Sequence, residues 1–119
     1  NPGLVEAIVD GRSPQFCSLD NAGLLFLLPA GGPTDSAAEL LSSRSFETLL
    51  ERWAQQFDHI VIDTPPANDY PDALALGTIA RRALLVSRAQ RTSLTASREM
   101  MRRLQATRVE ILGAVVCHF

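Results

Sequence analysis

Short runs of branched apolar residues alternate along the chain with stretches in which apolar residues recur every three or four positions. The apolar runs, each stopped by proline, glycine or charge, predict buried strands at Gly23–Pro29, His59–Asp63, Ala83–Val86 and Ile111–Val116. The segment Arg12–Ala22 is either a loop or a weak strand around Phe16–Cys17. The helical spacing predicts helices at about 4–9, 36–43, 45–57 and 71–80, and a last helix that Thr92 or Ser93 caps and that runs to about residue 107. This alternation predicts an α/β fold, with a mainly parallel sheet and helices on both faces.

Local signals set the starts and buried faces of the predicted helices. Ser36 and Glu39 have the spacing of a capping box. Pro71 suits the first turn of its helix because it lacks an N–H donor. The last helix has one apolar face that we expect to be buried, and this face carries Leu94, Met101 and Leu104.

Composition is typical of one globular domain covering residues 1–119. Hydrophobic residues make up 46% of the 119 positions, and no apolar run approaches the roughly 18 residues that span a membrane. Cys17 and Cys117 are expected to be reduced core thiols, as is usual in the cytoplasm. Because the first residue is Asn1 and not methionine, we expect the chain to be a piece of a longer protein.

Charge is distributed unevenly, and all 11 cationic residues are arginines. Residues 1–80 carry 11 acidic residues and three arginines, whereas residues 81–119 carry eight arginines and two glutamates. The basic half is either a solvated helix face with loops or a surface that binds an anion or a partner. It lacks interleaved aromatic residues, which argues against nucleic acid.

Asp63 is the strongest candidate for chemistry. It ends the predicted strand at His59–Asp63, and Thr64, Pro65 and Pro66 follow at once. Open α/β sheets bind ligands at the carboxyl ends of their strands, where a carboxylate can hold magnesium through water. The alternative is an aspartate that caps a helix or stabilises a turn. Without lysine, the chain cannot contain the glycine-rich loop with Lys-Ser/Thr that cradles phosphates.

Weaker candidates surround Asp63. Arg88 and Arg91 follow the third predicted strand at the same sheet edge, where they either meet phosphate or lie on the surface. Gly31–Gly32 either approach a ligand or form an ordinary turn. Asp72 either complements Asp63 at a metal or stabilises a helix N-terminus.

Several segments together resemble the bacterial tyrosine kinases, and they lie in order over essentially the whole chain. They are Leu27–Gly31, Ala38–Ser43, Phe57–Pro66, Asp72–Leu74, Leu84–Arg88 and Ile111–Val116, preceded by Asn1–Leu4. These kinases are cytoplasmic autokinases of capsule and exopolysaccharide synthesis, related to the MinD/ParA ATPases. The resemblance implies part of a P-loop NTPase fold, the carboxy-terminal half of a kinase domain that binds ATP and Mg²⁺.

The resemblance also implies roles for individual residues. Asp63 is similar to the Walker B aspartate, which contacts magnesium through water, and Thr64, Pro65 and Pro66 shape the loop beside the γ-phosphate. Arg88 belongs to the implied nucleotide-binding set. Cys117 stands where the family usually has an asparagine that contacts adenine, and so it is the implied adenine-side position.

The departures from the family pattern imply an incomplete site. The Walker A loop and the second phosphate motif would lie before Asn1, and Tyr70 is the sole tyrosine, so there is no tyrosine cluster. A missing Walker A strand would leave an open sheet edge, through which we expect the fragment to associate or rearrange.

The family further implies a partner and a location. The partner is a membrane-anchored polysaccharide co-polymerase region, in the same chain or in a separate protein. Phosphotransfer to a neighbouring subunit implies a homo-oligomer at the inner face of the cell membrane, without nucleic acid.

Three functions stay open at this point. The first is part of a tyrosine autokinase that regulates polysaccharide synthesis and export. The second is a degenerate, non-catalytic interaction module of a polysaccharide export complex. The third is a MinD/ParA-like ATPase for positioning at membranes, without kinase activity.

We expect the 119-residue chain by itself to be catalytically inactive and to bind Mg-ATP weakly or not at all. The physical reason is that it has no lysine and no phosphate loop to stabilise the triphosphate charge. Isothermal titration calorimetry with Mg-ATP tests this expectation, and a micromolar dissociation constant would contradict it.

Overall fold

The computed structural model describes residues 2–118 and divides the chain into two compact units, residues up to Ile60 and residues from Val61. The first unit contains α1 (Leu4–Val9), β1 (Cys17–Ser18), β2 (Phe26–Leu27), α2 (Ala37–Leu41) and α3 (Arg44–Trp53). The second contains α4 (Asp72–Ala80), β3 (Arg82–Arg88), α5 (Leu94–Ala106) and β4 (Glu110–Cys117). The single domain expected from the sequence stays a prediction, and Asn1 lies outside the described residues.

An aromatic and aliphatic core holds the first unit together. Phe46, on α3, is the largest fully buried side chain, and Trp53 on the same helix is 8% exposed. The ring of Phe16 lies edge-on to Trp53 at 5.8 Å and also contacts Phe57 at 5.2 Å between ring centroids. Such tilted arrangements suit the ring quadrupoles, so the loop before β1 is fastened to α3.

The second unit is a parallel β3–β4 pair joined through α5. Seven residues of β3 pair with β4, from Arg82 opposite Glu110 to Arg88 opposite Cys117, with one irregularity after Ala83. A parallel pair needs a long crossover, and α5 supplies it. Its buried residues meet the loop before β4 in a core cluster of Met100, Leu104 and Val109.

Serine caps fix the starts of the two longest helices. The Ser43 hydroxyl accepts a hydrogen bond from the Phe46 N–H at 3.2 Å, and the Ser93 hydroxyl accepts one from the Ala96 N–H at 3.1 Å. Such caps satisfy N–H groups that a helix start leaves unpaired. Ser36 precedes α2 without a side-chain cap, so the capping box predicted there is not formed.

The strand predicted at His59–Asp63 is wrong, and the strand predicted at Gly23–Pro29 is much shorter than expected. The described structure assigns no strand to His59–Asp63, and Val61 is 92% exposed. A strand exists only where a neighbouring backbone pairs with it, and no strand within residues 2–118 pairs with this segment. The strand expected over Gly23–Pro29 shrinks to β2, which pairs antiparallel with β1 and is exposed.

Several finer expectations are also corrected. α3 ends at Trp53 rather than Phe57. On α5, Leu104 is buried as predicted, but Leu94 is 66% exposed and Met101 is 38% exposed, and Met100 is buried with Leu104. The cysteines are free, as expected, but both are half-buried rather than in the core.

The α/β class is confirmed as a fold with helices and two small sheets. The β3–β4 sheet is parallel, as expected, while the β1–β2 sheet is antiparallel. The larger parallel sheet with helices on both faces stays a prediction. Among residues 2–118, no helix has the length and apolarity required to cross a membrane.

Replacing Leu104 with alanine should destabilise the second unit by about 2–5 kcal/mol, because the buried side chain leaves a cavity beside Met100 and Val109. Leu94→Ala on the same helix is the matched control and should change the stability by less than about 0.5 kcal/mol, since Leu94 is exposed. Urea unfolding followed by circular dichroism measures both. Equal losses in the two variants would contradict the packing of α5.

Candidate functional site

The carboxyl ends of β3 and β4 bring two of the predicted site residues together. Arg88 and Cys117 are paired across the strands, and the Ala89 N–H donates a hydrogen bond to the Cys117 carbonyl at 2.8 Å. Parallel strands end at the same edge of a sheet, which is the edge where α/β folds bind ligands. The structure therefore places these two positions side by side at one edge of the β3–β4 sheet.

A tight turn after β3 fixes the backbone of Arg88. The Arg88 N–H donates to the Thr92 hydroxyl at 2.9 Å, and the Thr92 N–H donates to the Arg88 carbonyl at 2.9 Å. Gln90, between them, has a positive φ of 60°. Because both backbone groups of Arg88 are bonded to Thr92, the strand end and the start of α5 form one fixed corner.

A small cavity of about 190 Å³ lies between β3, α5 and the turn after Pro66. Its polar lining includes Asn68, Ser87, Thr92 and Ser97. The Asn68 amide donates to the Ala96 carbonyl at 3.4 Å, which ties the turn to the first half of α5. Asn68 was not among the predicted site residues, since nothing in the local sequence pattern indicates that it would face α5.

Asp63 lies in an irregular loop and is exposed. Within residues 2–118 its carboxylate takes part in no hydrogen bond or ion pair, so its oxygens face solvent. Thr64 is half-buried, and Pro65 and Pro66 are exposed. The Pro66 carbonyl accepts from the Asp69 N–H at 3.0 Å, which closes the turn that leads toward α4. The described contacts join Asp63 to neither Arg88 nor Cys117.

The Gly31–Gly32 turn lies in the first unit, where it contacts Glu6 of the same unit. The Glu6 carboxylate accepts hydrogen bonds from the Gly32 N–H at 2.8 Å and the Gly3 N–H at 2.7 Å. These bonds, first that of Gly32 and then that of Gly3, lower the pKa of Glu6 below its ordinary value of 4.5. At Gly31, with φ of +97°, an added Cβ would lie 2.3 Å from a Glu6 oxygen. The ordinary-turn interpretation of this loop therefore accounts for its geometry.

The remaining candidates fall outside a shared cluster. Asp72 lies in the first turn of α4, where negative charge stabilises the helix, and Arg91 lies in the turn before α5. Across the described part of the chain, no three His, Cys, Asp or Glu side chains gather in a metal-binding arrangement.

Sequence analysis also missed a basic groove in the first unit. A cavity of about 380 Å³ lies between the segment after α1 and one face of α3. Its lining includes Arg12, Arg44 and Arg52, with Trp53 beneath them. The available signal was that these are the only arginines among residues 1–60.

Bacterial tyrosine kinases are similar to this chain over almost its whole length. The chain is 28% identical over 117 residues to the tyrosine-protein kinase ptk of Acinetobacter johnsonii, a match that covers 97% of this chain. It is 29% identical over 118 residues to the succinoglycan biosynthesis transport protein ExoP of Rhizobium meliloti. The crystal structure of the VpsO kinase domain superposes with a TM-score of 0.91 at 28% identity and covers 99% of this chain.

This chain is a bacterial tyrosine kinase-like fragment. The resemblance recognised in the sequence is thereby confirmed. The chain spans 16% of the length of ptk, 15% of ExoP and 59% of the VpsO kinase domain. No family model matches the chain.

The described residues do not fit a complete site for magnesium and ATP. Asp63 offers one exposed carboxylate, which suits a hard cation held through water. The chain has no lysine for the phosphates, and among residues 2–118 Asp63 belongs to no cluster of metal-ligating side chains. A nucleotide would need groups that these residues do not supply.

Replacing Glu6 with glutamine should destabilise the first unit at neutral pH, because Gly3 and Gly32 donate to different carboxylate oxygens. Glutamine keeps one acceptor oxygen, and its NH2 group cannot accept the second N–H bond. A carboxylate whose folded pKa is lowered stabilises the fold above its unfolded value, near 4.5, and loses that contribution as pH falls through the folded pKa. The gap between wild type and Glu6→Gln should therefore close on acidification. Urea unfolding followed by Trp53 fluorescence at several pH values measures the gap.

The matched control for this experiment is Glu39→Gln, since Glu39 is exposed and lies in the same unit. It should leave the unfolding midpoint close to that of wild type. A Glu6→Gln variant as stable as wild type at neutral pH would show that the glycine loop does not depend on the carboxylate.

Proposed function

We propose that this fragment is part of an ATP-dependent protein-tyrosine autokinase that regulates capsule or exopolysaccharide synthesis and export. The observation that carries the proposal is the superposition of nearly the whole chain on the VpsO kinase domain, with a TM-score of 0.91. The polysaccharide context comes from ExoP, a succinoglycan biosynthesis transport protein. Its similarity covers 96% of this chain.

In this proposal Asp63 is the Walker B aspartate. Its carboxylate takes part in no hydrogen bond or ion pair within residues 2–118, so both oxygens are available to waters around a magnesium ion. Pro65 and Pro66 restrict the backbone after it, because each ring fixes φ. Thr64 and the two prolines then set the direction in which the loop leaves Asp63.

Arg88 and Cys117 form the second part of the proposed nucleotide edge. Their pairing at the ends of β3 and β4 places a guanidinium-bearing residue next to the position proposed for the adenine side. The fixed corner at Thr92 holds the Arg88 backbone. An arginine at such an edge suits a phosphate, since its planar fork matches two oxygens.

The proposed autokinase acts with other components. A phosphate-binding lysine must come from residues outside this chain, and we propose that the chain alone is inactive and holds no nucleotide. We further propose a membrane-anchored polysaccharide co-polymerase region as partner and a homo-oligomer as the working form, at the inner face of the cell membrane.

The proposal is tested in the longer protein that contains this chain, through its autophosphorylation with Mg-ATP. Asp63→Asn should lower the rate by about 100-fold or more, because it removes a preorganised charge from the site. Asp58→Asn is the matched control, since Asp58 is also an exposed aspartate and lies close by in sequence. It should change the rate by less than about twofold.

Phosphotyrosine immunoblotting with a defined time course measures both variants. An Asp63→Asn protein as active as wild type would refute the Walker B role. A longer wild-type protein that neither hydrolyses ATP nor forms phosphotyrosine would favour a non-catalytic interaction module, and ATP hydrolysis without phosphotyrosine would favour a positioning ATPase.

A further inference from the structure

All three arginines of the first unit line one cavity. Residues 1–60 contain Arg12, Arg44 and Arg52 as their only arginines, against eight acidic residues. The cavity of about 380 Å³ is lined by all three and by no acidic side chain. We call this cavity, with its rim of Arg12, Arg44 and Arg52 and its floor of Ile8, Leu49 and Trp53, the arginine groove.

Two elements supply the basic rim. Arg44 and Arg52 are eight residues apart on α3 and lie with Thr48 along one face of that helix, because two helical turns separate the arginines. Arg12 comes from the segment after α1, where Gly11 takes a positive φ of 63° and turns the chain. The arginines of the rim therefore come from two separate segments of the first unit.

The charges of the rim are available to a ligand. Arg12 pairs with Asp10 at 3.3 Å and Arg44 pairs with Glu47 at 2.5 Å, but both pairs are exposed to solvent. Exposed pairs of this kind contribute little, so a more highly charged anion can compete for the arginines. In the part of the chain that the structure describes, Arg52 forms no ion pair.

The floor of the groove is apolar and held in place. Ile8 is 9% exposed and Trp53 is 8% exposed, and the edge-on contact with Phe16 fixes the indole ring. Both side chains line the cavity beside Leu49. An apolar floor under a guanidinium rim fits a flat hydrophobic group that carries several anionic oxygens.

We propose that the arginine groove binds a phosphorylated aromatic side chain of the phosphotyrosine class. The phosphate would lie between Arg52 and the two other arginines, and the ring would lie on the Trp53 side of the floor. A dianionic phosphate suits several guanidinium forks better than a single carboxylate does. The choice of phosphotyrosine as the ligand rests on the proposed kinase function. The geometry of the groove does not depend on that function.

Trp53 is the sole tryptophan and lies in the groove, so its fluorescence reports on binding. The 119-residue chain is titrated with a short phosphotyrosine peptide, the same peptide unphosphorylated, and inorganic phosphate. We expect a saturable change in Trp53 emission with the phosphopeptide, at least about tenfold weaker binding of phosphate alone, and no saturable change with the unphosphorylated peptide.

Arg52→Gln should weaken binding of the phosphopeptide by about tenfold or more, because a charge-assisted bond to phosphate is lost. Arg98→Gln is the matched control: Arg98 is an exposed arginine on α5, outside the groove. It should bind as wild type does. Arg12→Gln is a second groove variant, and circular dichroism of each free variant verifies folding.

Three results would overturn the proposal. They are no saturable change with the phosphopeptide, equal weakening by Arg52→Gln and Arg98→Gln, and equal affinity for inorganic phosphate and phosphopeptide. Phosphopeptide binding to the arginine groove, without kinase activity in the longer protein, would refute the proposed function and support the groove proposal. Kinase activity without phosphopeptide binding would support the proposed function and refute the groove proposal.

Discussion

A parallel pair of strands cannot be joined by a tight turn, and in this chain α5 provides the long connection between β3 and β4. This requirement organises the second unit. α5 must lie on the sheet, which buries Met100 and Leu104 against Val109. It also aligns the strand ends, and so Arg88 and Cys117 become neighbours although 28 residues separate them in sequence. The most regular part of the fold and the candidate nucleotide edge thus have one cause.

The segment around Asp63 shows the effect of a missing strand partner. Its apolar residues have the composition of a buried strand, yet Val61 is 92% exposed and no strand of the described residues pairs with it. Backbone N–H and C=O groups need partners to form a ladder, and composition cannot provide them. The carboxylate of Asp63 is consequently presented on a loop, and what it can do depends on groups that this chain does not supply.

In the first unit, a few arginines stand among many acidic residues, and their positions decide where positive charge is found. Three arginines stand among eight acidic residues, and two of them form exposed pairs, Arg12 with Asp10 and Arg44 with Glu47. The helical repeat of α3 and the turn at Gly11 nevertheless bring all three arginines to the arginine groove. Glu6 acts in the opposite sense nearby, since its carboxylate occupies the N–H groups of Gly3 and Gly32. One carboxylate therefore closes a glycine loop, while the arginines leave a groove open to anions.

The sequence by itself determined where most of the helices lie, that the segments of β3 and β4 are strands, and the resemblance to bacterial tyrosine kinases, because hydrophobic spacing is local and the motif order covers the whole chain. It located α1 at Leu4–Val9 and predicted that Arg88 would lie at the edge of the sheet. Only the tertiary structure decided that His59–Asp63 is no strand, that Met100 is buried in place of Met101, and that Arg12 and Arg52 line the same cavity. Each of these depends on which distant segment lies opposite, and a local pattern carries no information about its partner.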